Sequence, residues 1–363
     1  MAFFKNIFGK KVTPDGQGFY VVKVKDLKRV AEDALQIRFD IPEEIANEFK
    51  FVPGQYINLK AIVNGEELIR SYSICTPVGE DIGVGIRILS DGKFSSWIEK
   101  ELKEGAEISV SKPLGNFKLL DKASKFVFFA SGSGITPILS MLASCDHAQL
   151  AASRLFYGNR DQNSLMFEQE ITRLVKNGLS VDYLFSRAAE VPPLRLDQNT
   201  TLNLLKSELD LLKSDAFYIC GPEAMIIGVS KSLATLGVNK DKIHFELFGA
   251  PVSDELAGNK TASASEEQFS GKSEVTVTLD DEDYVFTLAT DGDTILDEVE
   301  ASGIDAPYSC RGGVCCTCKA KIVEGSARME TNMSLTDQEV KEGFILTCQA
   351  HPTSAKLKIT FDV

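Results

Sequence analysis

The C-terminal part of the chain carries closely spaced cysteines in the stretch CRGGVCCTC. Cys310, Cys315 and Cys318 are separated by four and then by two residues, and Cys348 follows after 29 more residues, in ILTCQA. Thiolates at such spacing are the ligands that zinc and iron–sulfur clusters prefer. Zinc would make this loop a structural element, whereas an iron–sulfur cluster would make it a site of electron transfer.

The spacing favours an iron–sulfur cluster over zinc. Structural zinc sites usually combine two pairs of Cys or His, each pair closing a short turn. Three thiolates with x4 and x2 spacing and a distant fourth form the plant-type 2Fe–2S pattern. Gly312 and Gly313 let backbone amides turn towards the bridging sulfides, where side chains would clash. Cys316 is the odd cysteine, and we expect a small buried residue that points away from the cluster. The predicted cluster ligands are Cys310, Cys315, Cys318 and Cys348.

The stretch RSYSIC places three further candidate residues at the end of a predicted strand. Arg70 suits a pyrophosphate, Tyr72 offers a flat face to an aromatic ring system, and Ser73 can hydrogen-bond a ring nitrogen. Alternation along the strand puts Tyr72 on the opposite face from its neighbours. Taken alone, the stretch is equally consistent with an ordinary strand.

The stretch SDGKFSSWI, a little further along the chain, predicts a short helix after a glycine turn. Backbone amides at the N-terminus of a helix favour a phosphate group. The residues predicted to bind it are Gly92, Lys93, Phe94 and Ser95.

The stretch FVFFASGSGITPILSM combines a buried strand, a glycine loop and the start of a helix. Gly132 and Gly134 allow a pyrophosphate to approach the backbone closely, while Thr136 and Pro137 begin the helix. The loop lacks the third glycine of the dinucleotide fingerprint, so on its own it is weak evidence.

The end of VDYLFSR bears on the choice of nicotinamide coenzyme. An NAD enzyme would carry Asp or Glu at this strand end to bind the ribose hydroxyls, but the chain has Ser186 and Arg187. An arginine here can pair with the 2′-phosphate of NADP, although a solvated loop arginine is the simpler alternative. The sequence favours NADPH and leaves NADH open.

Length and composition indicate a soluble protein of several domains. A chain of 363 residues is too long for one ordinary core, and 44% hydrophobic and 25% charged residues are typical of soluble proteins. No apolar run approaches the ~20 residues that span a bilayer, and the N-terminal MAFFKNIFGKK is too short and interrupted for a signal peptide. Eight cysteines without a secretory signal fit metal binding in a reducing cytoplasm better than disulfides.

Negative charge is concentrated in the C-terminal part of the chain. From residue 263 onward there are 19 Asp and Glu against 8 Lys and Arg, out of 52 and 39 in the whole chain. This excess argues against nucleic-acid binding. It favours docking of the acidic part on a basic patch of another protein, with improved solubility as the simpler explanation.

Hydrophobic patterns divide the chain into five segments. Residues 1–17 are predicted to be an N-terminal tail, and residues 18–118 hold short β-branched segments between turns, which predicts an antiparallel β-barrel. In residues 119–250 apolar strands alternate with helical patterns such as SLMFEQEITRLVKN, which predicts an α/β parallel sheet. The stretch TTLNLLKSELDLLKS is predicted to be an amphipathic surface helix. Residues 251–271 have the composition of a flexible linker. Residues 272–363 combine a hairpin, a helix, the cysteine loop and a last strand.

These motifs resemble those of the ferredoxin–NADP reductase superfamily. R-x-Y-S and G-x-F-S are similar to its FAD-binding halves, ASGSGITP and YICGPEAMI to its nicotinamide domain, and the last segment to a plant-type ferredoxin with an α+β, β-grasp fold. The resemblance implies three catalytic residues: Tyr72 and Ser73 at the flavin, and Cys220 beside the nicotinamide carbon that gives up hydride. It also implies that Phe248, in HFELF, covers the other face of the flavin. The remaining coenzyme-site residues carried over are Gly221, Pro222 and Met225.

The order of domains is similar to that of reductase components of multicomponent oxygenases, in particular the phenylacetyl-CoA epoxidase and 3-ketosteroid 9α-hydroxylase reductase group. The resemblance implies a route from NADPH through FAD and the 2Fe–2S cluster to an oxygenase component that docks on the acidic ferredoxin domain. Two alternatives stay open at this point. A zinc-binding module would have no redox role, and a reductase of this type could serve a non-oxygenase acceptor such as a hybrid-cluster protein or a desaturase.

Overall fold

The computed structural model describes residues 12–187, 193–248 and 269–362. Most of the predicted N-terminal tail, and all but the last three residues of the predicted linker, lie outside these ranges. Buried side chains form a barrel core, two core clusters in the central unit and a C-terminal core. Within the described ranges no helix is both long and apolar enough to cross a membrane.

The first unit is a six-stranded antiparallel barrel. Its strands are β1 (Phe19–Ala31), β2 (Ala34–Asp40), β3 (Tyr56–Val63), β4 (Glu66–Ser73), β5 (Gly83–Arg87) and β6 (Glu107–Ser111). They pair in the order β4–β3–β6–β1–β2–β5, and a bridge between Ile74 and Val84 joins the two ends. Buried and exposed side chains alternate in the first half of β1, as expected for a strand with one face on a core. A 3-10 helix at Glu43–Phe49 and helix α1 (Lys93–Glu101) complete the unit.

The second unit is a parallel sheet with helices packed on it. Its strands are β7 (Phe126–Ser131), β8 (Arg154–Asn159), β9 (Ser180–Phe185), β10 (Ala216–Cys220) and β11 (Ile243–Glu246). Its helices are α2 (Ile135–Ala143), α3 (His147–Ala152), α4 (Glu168–Lys176), α5 (Gln198–Ser207) and α6 (Glu223–Thr235), with 3-10 turns at Gly132–Gly134, Leu209–Lys213 and Lys240–Lys242. The strand order β11–β10–β7–β8–β9 reverses beside β7. In α/β sheets, ligands bind outside the carboxyl ends of the strands at such a point.

Two helical predictions differ from the structure. The stretch SLMFEQEITRLVKN is helical only from Glu168, because Phe167 is fully buried with a left-handed φ of 61°. The stretch TTLNLLKSELDLLKS is not one amphipathic helix, since α5 ends at Ser207 and a 3-10 helix follows. The break lets both Leu205 and Leu211 enter the same core cluster.

The C-terminal unit is a small α+β sheet. Its strands are β12 (Lys272–Leu279), β13 (Glu282–Ala289), β14 (Lys319–Glu324), β15 (Ala327–Met329), β16 (Phe344–Leu346), β17 (Ala350–Pro352) and β18 (Lys356–Thr360). Helices α7 (Ile295–Ala301) and α8 (Asp337–Lys341) and a 3-10 turn at Thr347–Gln349 accompany them. The main sheet has the order β13–β12–β18–β14–β16, while β15 pairs with β17. The predicted fold class of barrel, parallel-sheet domain and α+β ferredoxin domain is confirmed.

Candidate redox site

The four predicted cluster ligands lie together in the C-terminal unit. The Cys310 thiol interacts with those of Cys315 and Cys348, and the Cys318 thiol interacts with that of Cys348. Cys315, Cys318 and Cys348 are buried and Cys310 is half-buried. Because Cys348 follows β16, which pairs with β14 directly after the loop, the sheet returns this distant residue to the other three.

Contacts among these thiols shift their pKa values in opposite directions. Hydrogen bonds with Cys315 and Cys348 lower the pKa of Cys310, and a hydrogen bond with Cys348 lowers that of Cys318. The same contacts raise the pKa values of Cys315 and Cys348. The backbone N–H of Gly312 donates to Cys310 Sγ at 3.4 Å. Backbone donors of this kind stabilise a thiolate and tune the metal that it binds.

The donor set fits a two-iron cluster better than a single ion. Across the three described ranges, no group of three or more His, Cys, Asp or Glu side chains is arranged to hold one metal ion. A 2Fe–2S cluster is held by four thiolates shared between two irons, and the four thiols here form one connected series of contacts. Gly313 has a φ of +71°, and a Cβ there would lie 2.7 Å from Thr331 O. The tight turn of the loop therefore requires glycine.

Cys316 has a different environment from the other four cysteines of the unit. Its thiol donates to Ser334 O at 3.6 Å. Burial raises the pKa of this thiol to about 11. Both features are those of a small packed residue, in agreement with the prediction that it points away from the cluster.

A cavity of 470 Å³, here called the barrel cavity, lies between β4, α1 and the start of α2. The first residues of α1 line it, so amides of a helix N-terminus are available to a phosphate. At Gly92 a Cβ would lie 2.5 Å from Ser95 Oγ, which explains the glycine before the helix. The predicted residues that line the barrel cavity are Arg70, Tyr72, Ser73, Gly92, Lys93, Phe94, Ser95, Thr136 and Phe248.

Tyr72 and Lys93 are already engaged by neighbouring side chains. The Tyr72 ring stacks on Phe94 with centroids 6.2 Å apart, and burial raises its pKa above the ordinary value. Lys93 Nζ pairs with Glu66 at 2.6 Å. At the start of α1, the backbone of Lys93 is therefore a better phosphate donor than its ammonium group.

A second cavity of 420 Å³, here called the junction cavity, lies between the barrel and the cysteine loop. Arg70, Ser73 and Phe248 line this cavity as well as the barrel cavity. Cys310 and Cys315 form part of its wall. A dinucleotide bound across the two cavities would therefore touch both the barrel and the loop that carries the cluster ligands.

A third cavity of 710 Å³, here called the coenzyme cavity, lies at the carboxyl ends of β7, β8 and β9. Gly132 has a φ of +54°, and a Cβ there would have no protein atom nearer than 3.8 Å, so a ligand can approach the backbone. Arg187 and Arg195 line the cavity and have no ion-pair partner among the described residues. The predicted residues that line it are Gly132, Ser186, Arg187, Pro222 and Met225.

One carboxylate holds two further arginines where the cavities meet. Asp33 accepts hydrogen bonds from Arg87 Nη1 at 2.6 Å and from Arg160 Nη2 at 2.5 Å. Arg87 lines both the coenzyme cavity and the barrel cavity. Asp33 lies on the barrel unit and Arg160 on the parallel-sheet unit, so this group also ties the two units together.

Three predicted coenzyme-site residues lie behind the cavity walls. A Cβ at Gly134 would lie 2.1 Å from Cys220 O, and one at Gly221 would lie 2.8 Å from Met225 Cε. Pro137 is buried within α2. The structure places these residues in the packing of the glycine loop against the CGP turn, and this packing fixes the shape of the cavity.

Glu246 is the carboxylate nearest the predicted catalytic residues. Ser73 Oγ donates to Glu246 Oε2 at 3.2 Å, and the register of β10 and β11 puts Glu246 beside Cys220. Enclosure by protein raises the pKa of Glu246 to about 8, against a lowering by the Ser73 hydrogen bond. Glu246 lines the junction cavity and is half-buried. Burial raises the pKa of the Cys220 thiol, and the neighbouring Glu246 carboxylate raises it further. Cys220 is fully buried and does not line any of the three cavities.

Known protein families cover most of the chain. The oxidoreductase FAD-binding domain family matches residues 21–119, the oxidoreductase NAD-binding domain family residues 128–231, and the 2Fe-2S iron-sulfur cluster binding domain family residues 277–353. One component of the 1,2-phenylacetyl-CoA epoxidase of Escherichia coli (strain K12) is 33% identical over 355 residues, 95% of this chain and 98% of the relative. The chain belongs to this family of FAD- and 2Fe–2S-dependent NAD(P)H reductases.

Other relatives of the reductase share its arrangement. The ferredoxin reductase component of the 3-ketosteroid-9-alpha-monooxygenase of Rhodococcus rhodochrous is 30% identical over 363 residues, 96% of the reductase and 98% of the relative. The solved structure of phthalate dioxygenase reductase superposes with a TM-score of 0.56 at 24% identity, covering 96% of the reductase and 100% of that chain. This likeness shows the fold. The predicted oxidoreductase class and the cofactors FAD, NAD(P)H and 2Fe–2S are confirmed.

Sequence patterns missed several residues around the cavities of the reductase. Asn159 and Arg160 stand at the carboxyl end of a parallel strand, and this position was the available signal. Glu246 lies two residues before Phe248 in HFELF, and the sequence leaves its role open. Arg87 and Arg195 carry no local signal, because only the packing of separate elements brings them to the coenzyme cavity.

The raised pKa of Glu246 predicts how stability depends on pH. Between its usual pKa and about 8 the folded chain holds a proton that the unfolded chain has lost, so wild-type stability falls as pH rises through this window. Glutamine does not titrate, so the Glu246→Gln variant does not show this fall in stability with rising pH. We expect the variant to be more stable than wild type at pH 9, by on the order of a few kcal/mol, and the advantage to vanish near pH 4.5.

Urea unfolding at several pH values measures this difference, with Glu67→Gln, an exposed glutamate of β4, as the matched control. The control should keep the wild-type profile. A Glu246→Gln profile parallel to wild type at all pH values would show that folding leaves the pKa of Glu246 at its ordinary value.

Proposed function

We propose that this reductase carries electrons from NADPH through FAD and a 2Fe–2S cluster to an oxygenase component of the phenylacetyl-CoA epoxidase or a similar ring-hydroxylase type. The observation that supports the proposal is the continuity of the three cavities. Arg87 lines the coenzyme and barrel cavities, Ser73 the barrel and junction cavities, and Cys310 the junction cavity. Groups bound in this series would adjoin one another in the order of electron flow.

The side chains bind and orient, while the bound groups carry the electrons. FAD, when bound, accepts two electrons together from a nicotinamide and releases them singly. We assign the pyrophosphate of FAD to Arg70 and the start of α1, on the basis of charge and helix amides. We assign contacts with the flavin ring to Tyr72, Ser73 and Phe248. Because a carboxyl group with a pKa near 8 is largely protonated at neutral pH, the Ser73–Glu246 pair can hold a proton beside this ring site.

We assign the cluster to the thiolates of four cysteines, with Gly312 N–H as a donor to one of the sulfurs. Cys310 and Cys315 line the same cavity as Ser73, so the cluster would lie beside the flavin site. We assign Cys220 to packing beneath the nicotinamide site, next to Glu246. The four proposed ligands are Cys310, Cys315, Cys318 and Cys348.

Anaerobic mixing of the purified chain with NADPH tests the electron route. We expect bleaching of flavin absorbance followed by the EPR signal of a reduced 2Fe–2S cluster. Substrate-dependent consumption of NADPH should then require both the reductase and its oxygenase component. Bound zinc in place of iron, or reduction of the cluster in flavin-free protein, would contradict the route.

We propose that the oxygenase docks on the acidic C-terminal unit and that the reductase works in the cytoplasm. The charge excess after residue 263 supports docking on a basic surface. None of the eight cysteines forms a disulfide, which suits a reducing compartment. Transfer to the oxygenase should therefore slow as salt concentration rises, while reduction of the flavin by NADPH is less affected.

Arg187→Ala is expected to reduce the preference for NADPH. Arg187 lines the coenzyme cavity as an exposed cation without an ion-pair partner in the part of the chain that the structure describes. Loss of a charged hydrogen bond to the 2′-phosphate should raise KM for NADPH about 10- to 100-fold and leave KM for NADH unchanged. Steady-state kinetics with both coenzymes measure the effect.

The matched control for this prediction is Arg173→Ala, which removes an exposed arginine of α4 away from the coenzyme cavity. Both KM values should stay at wild-type levels. A surviving advantage of NADPH in Arg187→Ala would show that another residue, with Arg195 as the nearest candidate in the cavity, binds the 2′-phosphate.

A further inference from the structure

The face of the β3–β4 ribbon that carries Ser73 continues beyond the flavin site to the cysteine loop. Tyr56 and Asn58 share one face of β3, and the antiparallel register places them opposite Ser73 and Ser71 of β4. Ser73, Tyr56 and Ser71 all line the junction cavity. Tyr56, Asn58 and Ser71 also hydrogen-bond to the C-terminal unit. We call Tyr56, Asn58 and Ser71 the seat.

Asn58 is the centre of the seat. It is fully buried, its Nδ2 donates to Thr317 Oγ1 at 3.0 Å, and its Oδ1 accepts from Ser71 Oγ at 2.7 Å. A buried amide is costly unless its hydrogen bonds are made. Thr317 lies 259 positions away in sequence, so Asn58 finds this partner only while the C-terminal unit rests against the barrel.

Two further hydrogen bonds join the seat to the cysteine loop. The backbone N–H of Cys316 donates to Tyr56 Oη at 3.1 Å, and the hydroxyl oxygens of Ser71 and Ser309 lie 2.8 Å apart. Each contacted residue of the loop is the chain neighbour of a proposed cluster ligand. The seat therefore holds the loop beside its metal-binding residues rather than at a remote surface.

Thr317 connects the seat to a ligand sulfur. Cys315 Sγ lies 3.3 Å from Thr317 Oγ1. A metal-bound thiolate has no proton, so in the loaded chain the hydroxyl must be the donor of this hydrogen bond. The N–H of Asn58 occupies an acceptor position on Thr317 Oγ1 and leaves the hydroxyl proton for the sulfur. Tyr56 Oη is a competing acceptor, but the charged thiolate forms the stronger hydrogen bond.

We propose that Asn58 is a positioning residue that couples seating of the C-terminal unit to the reduction potential of the 2Fe–2S cluster through Thr317. This inference rests on the proposed cluster site. Hydrogen bonds to cluster sulfurs stabilise the reduced, more negative form and raise its potential. When the C-terminal unit rests against the seat, the higher potential of the cluster favours electron transfer from flavin to cluster. When the unit leaves the seat, the lower potential favours transfer from the cluster to an acceptor.

Asn58→Ala in the full chain tests the coupling. We expect the midpoint potential of the cluster, measured by EPR-monitored redox titration, to become more negative while that of the flavin is unchanged. Transfer from flavin to cluster, followed by freeze-quench EPR after mixing with NADPH, should slow by up to about fivefold, as loss of one hydrogen bond allows. Reduction of the flavin by NADPH should keep its wild-type rate.

Variants of Thr317 and Asn116 separate this coupling from packing. Thr317→Val should shift the potential in the same direction, whereas Thr317→Ser keeps the hydroxyl and should restore it. Asn58→Ala should add no further shift to Thr317→Val, because Asn58 acts through Thr317. The matched control is Asn116→Ala, which removes hydrogen bonds to Ser334 O and to Glu339 across the same interface, and it should keep the wild-type potential.

A wild-type potential in Asn58→Ala, or an additive shift in the double variant, overturns the proposal. Absence of a 2Fe–2S signal in the wild-type chain would instead refute the proposed function, so the two failures are distinguishable. Flavin content and circular dichroism report folding. If Asn58→Ala does not fold, Asn58→Leu, which has a similar volume and no amide, makes the same test with the same expected shift.

Discussion

Cys348→Ala is expected to yield a reductase that keeps its flavin and loses its cluster. Cys348 interacts with the thiols of Cys310 and Cys318, and the proposed flavin contacts lie in other units of the chain. Without the fourth thiolate the cluster loses one of the four bonds that hold it. Iron content and the 2Fe–2S absorbance should fall to background. NADPH-driven reduction of ferricyanide, which takes electrons directly from flavin, should stay within about twofold of wild type, because hydride transfer needs no cluster.

Transfer beyond the cluster should be lost in the same variant. Reduction of the oxygenase component should fall by more than about 100-fold, because removing a ligand exceeds the loss that an outer-shell partner produces. The C-terminal unit should also unfold more readily, since ligand binding and folding are coupled in metal sites. Parallel assays with ferricyanide and with the oxygenase separate the two halves of the electron route.

Cys316→Ala is the matched control, because Cys316 belongs to the same loop and its thiol bonds to Ser334 O instead of to the ligand thiols. It should retain iron, absorbance and transfer to the acceptor. Loss of the cluster in Cys316→Ala and its retention in Cys348→Ala would mean that the ligand set has been assigned to the wrong cysteines.

The cysteine loop shows which parts of the site the sequence alone could predict. Its ligand spacing is a local property of the chain, and the need for glycine at position 313 follows from a tight turn. The strands β7 and β10 were likewise recognisable, because burial on both faces requires continuous apolar runs. In each case, the residues that impose the constraint are neighbours in sequence.

The pairs that were missed are distant in sequence. Ser73 and Glu246 are 173 positions apart, and Asn58 and Thr317 are 259 positions apart, yet each pair is within hydrogen-bonding distance. Periodicity places a side chain on a face of its own strand but does not identify the partner that covers that face. The break after α5 was missed for a related reason, since burial of Leu211 in a shared core overrides the local helical pattern.

The glycine loop tests the difference between constraints set by neighbouring residues and constraints set by residues distant in sequence. Gly132 and Gly134 look equivalent in the sequence but differ in the structure. Gly134 has ordinary helical dihedrals, with φ −60° and ψ −8°, so alanine there is free of backbone strain. Its Cβ would nevertheless lie 2.1 Å from Cys220 O and 2.4 Å from Cys220 C. Gly132 has a left-handed φ of +54°, but its Cβ would meet no atom nearer than Arg87 Nη2, at 3.8 Å.

Gly134→Ala is therefore expected to cost about 3 kcal/mol or more, at the upper end of overpacking effects, because two backbone segments must separate. Gly132→Ala should cost only about 1 kcal/mol, the typical strain of one left-handed residue. Urea unfolding of the parallel-sheet unit, followed by far-ultraviolet circular dichroism, measures both losses.

The two variants should also differ in how they affect function. Displacing the CGP turn moves Cys220 and, through the β10–β11 pairing, Glu246 beside Ser73. Gly134→Ala should therefore slow reduction of the flavin by saturating NADPH. Gly132→Ala should mainly raise KM, since its new methyl group projects towards the coenzyme cavity. Equal losses of stability in the two variants would show that the loop does not pack against the CGP turn, and that both glycines serve only to admit the coenzyme.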